Sequence, residues 1–394
     1  MSLKNAVITL AIVAVMFVIS SVVGAALLSR KVKNSTIVYK ADVDVKNDNM
    51  AEENSNVSEN LETSDQVDKL KDIITDDTEL ESTIDISLLG EIMMGGIVTK
   101  NNNYLYTAPF KNVYNITKNA DFTYANFSTN ITNLEKIENA KSKYLVTKNV
   151  IDGLKALGLD CVSIASDHIA DYDKDIFNNT VNTLEDNDIF VAGREDMPVY
   201  FEKGNKKVAI VSTNNVFIGT KKNYTKLSVS VYSNDNLIKN IKEAKKSADI
   251  VIADIHWGRE YEYGVTDQMR QISKVAIDAG ADLVIGSHAV GVYPLESYKG
   301  KPIIFSTGYF ISDTSLYVGK EGFIFNVLIS SGNKISEIVM TPIYINDKKE
   351  VLLYDQYNSQ QANEFLEMHN NWEKENGFDS KIEDNKIHVY FPQS

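Results

Sequence analysis

Three of the five histidines in this 394-residue chain lie at the ends of short apolar runs, beside two acidic residues. Glu91 ends the first of these runs, Asp167 and His168 follow another, and His256 and His288 lie at the ends of two later ones. In α/β sheets, ligands bind at the carboxyl ends of the strands. We therefore predict that these five side chains share one polar cleft. Imidazole and carboxylate ligands together suit Zn²⁺, Mn²⁺ or iron.

The elements that would position these side chains alternate in type from residue 84 onward. Amphipathic stretches at 148–157, 234–247 and 266–279 have helical spacing. Between them lie segments with the length and composition of strands, namely IDISLLG (84–90), LDCVSIA (159–165), KVAIVST (207–213), DIVIADIHW (249–257), ADLVIG (281–286) and KPIIFSTG (301–308). This alternation predicts an α/β sheet covered on both faces. Two later apolar segments around Ser331-Gly332-Asn333 predict an antiparallel hairpin.

The remaining residues with reactive side chains restrict the chemistry further. Cys161 is the only cysteine, which excludes an intramolecular disulfide and a cluster of thiolates. The polar C-terminal segment, residues 346–394, contains one helical pattern over 360–374. We predict that His369 and His388, which lie in this segment, are surface residues.

The charge of the chain excludes one class of function. The formal net charge is −14 at pH 7, and four arginines stand against thirty-six lysines. Nothing in this composition indicates a nucleic-acid-binding protein. The lysines at Lys221, Lys222 and Lys226 fit either contact with a polyanion or an ordinary solvated face.

The first 83 residues differ in composition from the rest. Ala6 to Leu28 carry no charge and are long enough to span a bilayer as a helix. We predict an uncleaved anchor within residues 1–33; a cleaved signal peptide, ending near Val23-Gly24-Ala25, is the alternative. Residues 34–83 are polar and acidic, which predicts a disordered tether that holds the following domain tens of ångströms from the membrane.

Five segments resemble one known family in order and spacing, over about residues 84–345. They are LLGEIMMGG, ADFTYANFSTNIT, GLDCVSIASDHIADYD, IHWGREYE and GADLVIGSHAVGVYPLESYKGKPIIFSTGYFI. They are similar to the motifs of the poly-γ-glutamate capsule-biosynthesis (CapA) family. The resemblance implies the fold of calcineurin-like metallophosphatases, a two-sheet sandwich flanked by helices, with a dinuclear metal site between strand-end loops.

The resemblance also assigns roles to the residues of the cleft. Glu91 occupies the place of the family's first aspartate ligand, and Asp167 that of an asparagine ligand. His256 and His288 match two histidine ligands. His168 matches the histidine expected to act as a general acid or to stabilise phosphoryl oxygens, so it is the candidate catalytic residue.

Several family positions are altered. Ser128 stands in place of the glutamate expected to bridge the two metals, and Val290 in place of a second histidine. Gly96 replaces an arginine, and Tyr309 an asparagine. A two-metal centre needs a shared bridging ligand, so we expect either one divalent ion (Mn²⁺, Zn²⁺ or iron) on the remaining ligands or a metal-free cleft.

The resemblance implies a membrane-anchored, extracellular accessory component of poly-γ-glutamate synthesis and export. Its partners would be the polymer and the membrane subunits that make and export it, and no nucleic acid. The domain would span residues 84–345, followed by an extension of unknown role over 346–394. The alternative is a cell-surface, metal-dependent hydrolase of a phosphate ester or amide, although the altered ligands favour a protein that is not an enzyme.

Overall fold

The computed structural model of the protein describes residues 38–40, 83–137, 144–259 and 264–392. Its strands, numbered in chain order, are β1 (Val38–Lys40), β2 (Ile84–Ile92), β3 (Phe122–Phe127), β4 (Asn130–Thr132), β5 (Leu145–Thr147), β6 (Cys161–Ser163), β7 (Phe190–Ala192), β8 (Val199–Lys203), β9 (Lys206–Asn214), β10 (Ile250–His256), β11 (Leu283–Ser287), β12 (Glu296–Tyr298), β13 (Lys301–Ile304), β14 (Tyr309–Ile311), β15 (Glu321–Ile329), β16 (Ile335–Ile345), β17 (Val351–Leu353), β18 (Asp379–Glu383) and β19 (Lys386–Tyr390). The helices are α1 (Gly96–Asn101), α2 (Tyr114–Thr117), α3 (Val150–Ala156), α4 (Lys174–Glu185), α5 (Lys221–Lys226), α6 (Asn234–Lys245), α7 (Asp267–Ala279), α8 (Tyr354–Tyr357) and α9 (Ser359–Glu375).

Two mixed sheets form the centre of the fold. One has seven strands in the order β1-β8-β9-β10-β11-β13-β12, and the other has ten, in the order β18-β19-β16-β15-β2-β3-β6-β7 with β14 beside β2 and β17 beside β16. Strands β9, β10 and β11 run parallel in the first sheet, and β2, β3 and β6 run parallel in the second. The predicted hairpin is confirmed, because β15 and β16 pair antiparallel around Ser331-Gly332-Asn333.

The sheets face each other across one apolar core. Its buried side chains come from both sheets, for example Ile86 and Phe325 from one and Ile210 and Ile252 from the other. A second cluster lies between the ten-stranded sheet and helices α3 and α4. A third lies between the seven-stranded sheet and helices α6 and α7. The mixed α/β architecture with helices outside two sheets is therefore confirmed.

The longer helices begin and end where their sequences provide caps. The side chains of Asp173, Ser233 and Thr266 accept backbone N–H groups at the starts of α4, α6 and α7. Helix α7 ends at Gly280, whose φ of 118° lies in the left-handed region that favours glycine. The amphipathic stretches predicted as helices are thus helical, with ends set by these caps.

The C-terminal segment packs into the same core as the rest of the domain. Helix α9 buries Phe365 and Leu366, and strand β19 pairs with β16, so that the segment extends the ten-stranded sheet. The prediction of a surface position for His369 was wrong: only 1% of this residue is exposed. Its ring contacts those of Phe365 and Trp372 on the apolar face of the helix. His388 is half-buried and pairs with Glu337 at 2.5 Å.

Most of the N-terminal region, including Ala6 to Leu28, lies outside the described residues. Within the described part of the chain, no helix has both the length and the apolar composition needed to cross a membrane. Strand β1, in the segment predicted as a disordered tether, pairs in parallel with β8 at the edge of the seven-stranded sheet.

Candidate metal centre

Two sheets bring their strand ends to one cleft. His256 is the last residue of β10, and His288 directly follows the neighbouring strand β11. Asp167 lies in the turn after β6 of the facing sheet. One possible ligand atom from each of these three residues lies within 4.8 Å of the other two. The structure therefore assembles three of the predicted ligands at the carboxyl ends of parallel strands.

The Asp167 carboxylate is the centre of the cluster. Its Oδ1 lies 3.2 Å from His256 Nε2, and its Oδ2 lies 3.7 Å from His288 Nδ1. The same Oδ2 lies 3.7 Å from Nε2 of His168. The rings of His256 and His288 are 4.9 Å apart between centroids. Two imidazoles and one carboxylate at these distances fit a single divalent ion.

The electrostatics of the cluster follow from burial and from these contacts. Burial disfavours the charged form of Asp167, but the hydrogen bond and charge of His256 and the charges of the other histidines hold its pKa below the usual value. Burial favours the neutral ring of His256, yet the hydrogen bond to Asp167 and nearby negative charge raise its pKa. Burial and the neighbouring His256 lower the pKa of His288 to about 4. His288 is therefore neutral at pH 7, which is the form that binds a metal.

Two further residues hold the ligands in place, and neither was predicted from the sequence. The Ser287 hydroxyl lies 2.8 Å from His256 Nδ1, the ring nitrogen that faces away from Asp167. The Tyr224 hydroxyl donates to the backbone oxygen of Asp167 at 2.5 Å. Such partners fix the orientation of metal ligands.

Glu91, also predicted as a ligand, lies outside this group of three. It is 1% exposed, near the end of β2, and accepts a hydrogen bond from the Ser128 hydroxyl. Ser128 in turn contacts Asn126 Oδ1 at 3.2 Å. Burial and the charge of Asp167 raise the pKa of Glu91, while His256 and Ser128 act in the opposite direction.

The position at which the resemblance implies a further histidine ligand is surrounded by packed, mostly apolar side chains. Val290 is 2% exposed and packs in a cluster with Met93, Tyr144, Tyr309 and Ile345. A valine offers no ligand atom, and this apolar cluster surrounds it. Together with a serine at the bridging position, this surrounding does not fit a second ion.

His168 lies at the edge of the cluster and is partly accessible. Its Nδ1 lies 2.9 Å from Asp171 Oδ2, and its ring packs 4.3 Å from that of Tyr144. Burial lowers its pKa, but the Asp171 hydrogen bond and the neighbouring carboxylates outweigh burial and raise it. A histidine whose pKa is raised in this way is suited to donate a proton or to stabilise an anion.

Comparisons with known proteins agree with the motifs. A family model described as bacterial capsule synthesis protein PGA_cap matches residues 85–314. The PGA biosynthesis protein CapA of Bacillus subtilis (strain 168) is 29% identical over 252 residues, covering 60% of this chain and 65% of that protein. The capsule biosynthesis protein CapA of Bacillus anthracis is 27% identical over 251 residues, covering 58% and 59%.

These two matches span less than two thirds of either relative's own length. Among solved structures, a phosphatase from Mycoplasma pneumoniae has a TM-score of 0.40 and 14% identity. That alignment covers 69% of this chain and 92% of the phosphatase. A likeness of that strength carries no conclusion on activity.

Proposed function

The chain belongs to the PGA_cap family of bacterial capsule synthesis proteins, and on that premise we propose that it is an accessory component of poly-γ-glutamate capsule synthesis and export. The names of the two Bacillus relatives support this role. The proposed partners are the nascent polymer and the membrane subunits that make and export it.

The accessory role is supported by a cleft that has metal-binding side chains on one side only. Asp167, His256 and His288 fit one divalent ion, which would supply Lewis acidity when bound. On the other side, Ser128 is bonded to Glu91 and Val290 lies among apolar side chains. The cleft therefore has the ligands to hold one ion but lacks those of a two-metal hydrolase.

A loss-of-function experiment tests this role. In a polymer-producing host that lacks its own family member, the wild-type chain should restore cell-associated poly-γ-glutamate. The purified protein should show no turnover of phosphate esters or of γ-glutamyl amides. Failure to restore the polymer would contradict the accessory role.

One observation favours a second candidate, a metal-dependent hydrolase of a phosphate ester or amide. His168 lies beside Asp167, is oriented by Asp171 and keeps a raised pKa. Hydrolysis by the purified protein that is lost in His168→Ala, while the ion stays bound, would establish this activity and contradict the non-catalytic role.

The metal itself has a direct test. His256→Ala and His288→Ala should each release the ion, because three protein ligands leave no redundancy, whereas Ser128→Ala should retain it. Elemental analysis after incubation with Mn²⁺, Zn²⁺ or Fe²⁺ and removal of free ion decides the outcome. A metal-free wild type would show that the cleft binds no ion. The accessory role would then not involve a metal.

We also propose that the Ala6–Leu28 stretch anchors the protein in the cell membrane, with residues 84–394 outside the cell. The length and charge-free composition of the stretch support this placement. Protease added to intact cells should remove the domain. Protection of the domain in intact cells, but not in lysed ones, would show that the domain faces the inside of the cell.

A further inference from the structure

We propose that the lysine-bearing face of helix α5, formed by Lys221, Lys222 and Lys226, is the docking surface for a polyanion with regularly repeated carboxylates. This inference rests on the proposed function and deepens it, because it names the part of the domain that would contact the polymer.

The segment that contains α5 leaves the sheet at the candidate metal centre. The backbone N–H of Asn215 donates to the backbone oxygen of His256 at 2.8 Å, at the end of β10. The neighbouring Asn214 side chain donates to the backbone oxygen of Ser166 at 3.1 Å, one residue before Asp167. One contact reaches the ligand residue His256 and the other reaches the residue before Asp167, so the segment borders the cleft.

The inner face of α5 is attached to the same centre. Tyr224 is fully buried, donates through its hydroxyl to the Asp167 backbone oxygen, and accepts the N–H of Ile218 at 2.8 Å. Its ring packs against Phe217 at 5.1 Å between centroids. A helix of six residues is not stable by propensity alone, so these contacts hold α5 in place beside the cleft.

The outer face of α5 is positively charged. Lys221, Lys222 and Lys226 are exposed. Within the described residues, none of the three lies within 4.0 Å of a carboxylate; Lys221 instead donates to the backbone oxygen of Tyr232 at 3.0 Å. Some lysines elsewhere form ion pairs, for example Lys245 with Asp282 at 2.6 Å and Lys299 with Asp278 at 2.5 Å.

Two acidic residues that share a pocket with Lys221 leave part of this face free. Glu195 and Asp196 line a pocket of about 300 Å³ together with Lys221. Asp196 is engaged by Ser230 at 2.7 Å and by the side chain of Asn236 at 3.3 Å. Lys222 and Lys226 do not line this pocket, so they are the side chains open to an external anion.

The chemistry of the ligand follows from the lysines. An ammonium group is a compact point charge without the planar fork by which arginine binds phosphates. Carboxylates repeated along a flexible chain can pair with several such charges in turn, and each weak contact adds to the others. Poly-γ-glutamate carries one free carboxylate per residue. Contact through α5 would let a negatively charged protein bind it.

The experiment measures binding of fluorescent poly-γ-glutamate to the full-length protein in detergent micelles, at low and at physiological ionic strength. The wild type should bind, and binding should weaken as salt screens the charges. The double variant Lys222→Glu/Lys226→Glu should weaken binding tenfold or more. The matched control, Lys239→Glu/Lys242→Glu on the exposed face of α6, makes the same change in net charge away from α5 and should weaken it less than threefold.

Three results would overturn the proposal. Equal weakening in the two double variants would show that only net charge matters, and the accessory role would then stand without this docking surface. Tighter binding of single-stranded DNA than of the polymer at the same salt would assign the face to another polyanion. No polymer binding by the wild type at low salt would reject both this surface and the polymer as a direct partner.

Discussion

At the scale of single residues, the ligands of the candidate metal centre depend on neighbours that are not ligands. Ser287 contacts His256 at Nδ1, so the opposite ring nitrogen, Nε2, faces Asp167. Tyr224 holds the backbone of Asp167 from the other side. The hydroxyl of Ser287 therefore determines which ring nitrogen of His256 faces the site, and the hydroxyl of Tyr224 helps to fix the position of Asp167.

Replacing the Ser287 hydroxyl should weaken ion binding without unfolding the protein. Ser287→Ala removes the group that orients His256, and we expect a loss of affinity of about 10- to 100-fold. Ser287→Thr keeps a hydroxyl and should lose much less. Zn²⁺ titration calorimetry, with thermal melts of the metal-free proteins, separates orientation from stability. An unchanged affinity in Ser287→Ala would show that His256 needs no such partner.

Restoring two of the altered family positions, 128 and 290, should make the stability of the protein dependent on metal. Ser128→Glu places a second carboxylate beside buried Glu91, and Val290→His buries an imidazole among apolar side chains. Without an ion, we expect the double variant to be less stable by about 2 kcal/mol or more, because these polar groups lack partners. Mn²⁺ should raise its melting temperature more than that of the wild type, and elemental analysis should find two ions. An unchanged metal content would show that the apolar cluster cannot be opened in this way.

Residue types and their positions at strand ends were enough to predict that Asp167, His256 and His288 lie together, because the carboxyl ends of parallel strands meet in space. The contributions of Ser287 and Tyr224 were not predictable. Each acts on a residue far away in the sequence, 31 positions for Ser287 and 57 for Tyr224. Nothing local distinguishes such a hydroxyl from one exposed to solvent.

At the scale of elements, helix α9 is joined to the loop that follows the metal centre. Both carboxylate oxygens of Glu373 accept the backbone N–H of Leu295, at 3.1 and 3.2 Å. Asn376 donates to the backbone oxygen of the same residue at 2.7 Å. Leu295 ends the loop that begins at His288, so the C-terminal helix fixes the far end of a ligand-bearing loop.

This contact predicts a pH dependence of stability. Burial raises the pKa of Glu373 to about 8 in the folded protein, against 4.5 as its ordinary value. The folded protein therefore keeps a proton that the unfolded chain loses between about pH 4.5 and 8, and stability falls as the pH rises through this range. Glu373→Gln should remove that decline, so that at pH 8 the variant is more stable than the wild type by about 4 kcal/mol.

Chemical denaturation at pH 5 and pH 8 provides the measurement. The control, Glu375→Gln, changes an exposed carboxylate on the same helix and should leave the pH dependence unchanged. If the wild type and Glu373→Gln lose stability equally between the two pH values, Glu373 is ionised in the folded state.

The elements themselves were predictable to different degrees. The parallel strands β2, β6, β9, β10, β11 and β13 were predicted from their apolar runs, because both faces of each strand are covered. The parallel strands β3 and β7 were not predicted. Strands β18 and β19 were missed, since they alternate charged and apolar residues at the edge of a sheet. The buried position of His369 had a signal that was available: Phe365, His369 and Trp372 follow the spacing of one helix face.

At the scale of the whole molecule, the cleft exists because two sheets present their strand ends side by side. A polar contact joins the sheets beneath it. The fully buried carboxylate of Asp254 on β10 accepts the hydroxyl of Tyr124, from the facing sheet, at 2.7 Å and that of Ser212 at 2.6 Å. Asp254 lies two residues before His256, so the relative position of the sheets and that of a ligand are linked through one strand.

The C-terminal segment should be required for this two-sheet fold rather than being an addition to it. Ending the chain after Leu353 removes α8, α9, β18 and β19, and with them buried side chains such as Tyr354, Phe365 and Val389. It also leaves β16 without its partner β19, and an unpaired strand edge promotes aggregation. Each large apolar side chain removed from the core costs about 1.5–3 kcal/mol of the free energy gained by burial. Several together exceed the stability of an ordinary domain.

We expect the shortened chain to be insoluble or to melt without a cooperative transition, whereas a chain ending after Gln393 should melt like the wild type. A soluble shortened chain with an unchanged cooperative melt would show that the two sheets fold without the C-terminal segment.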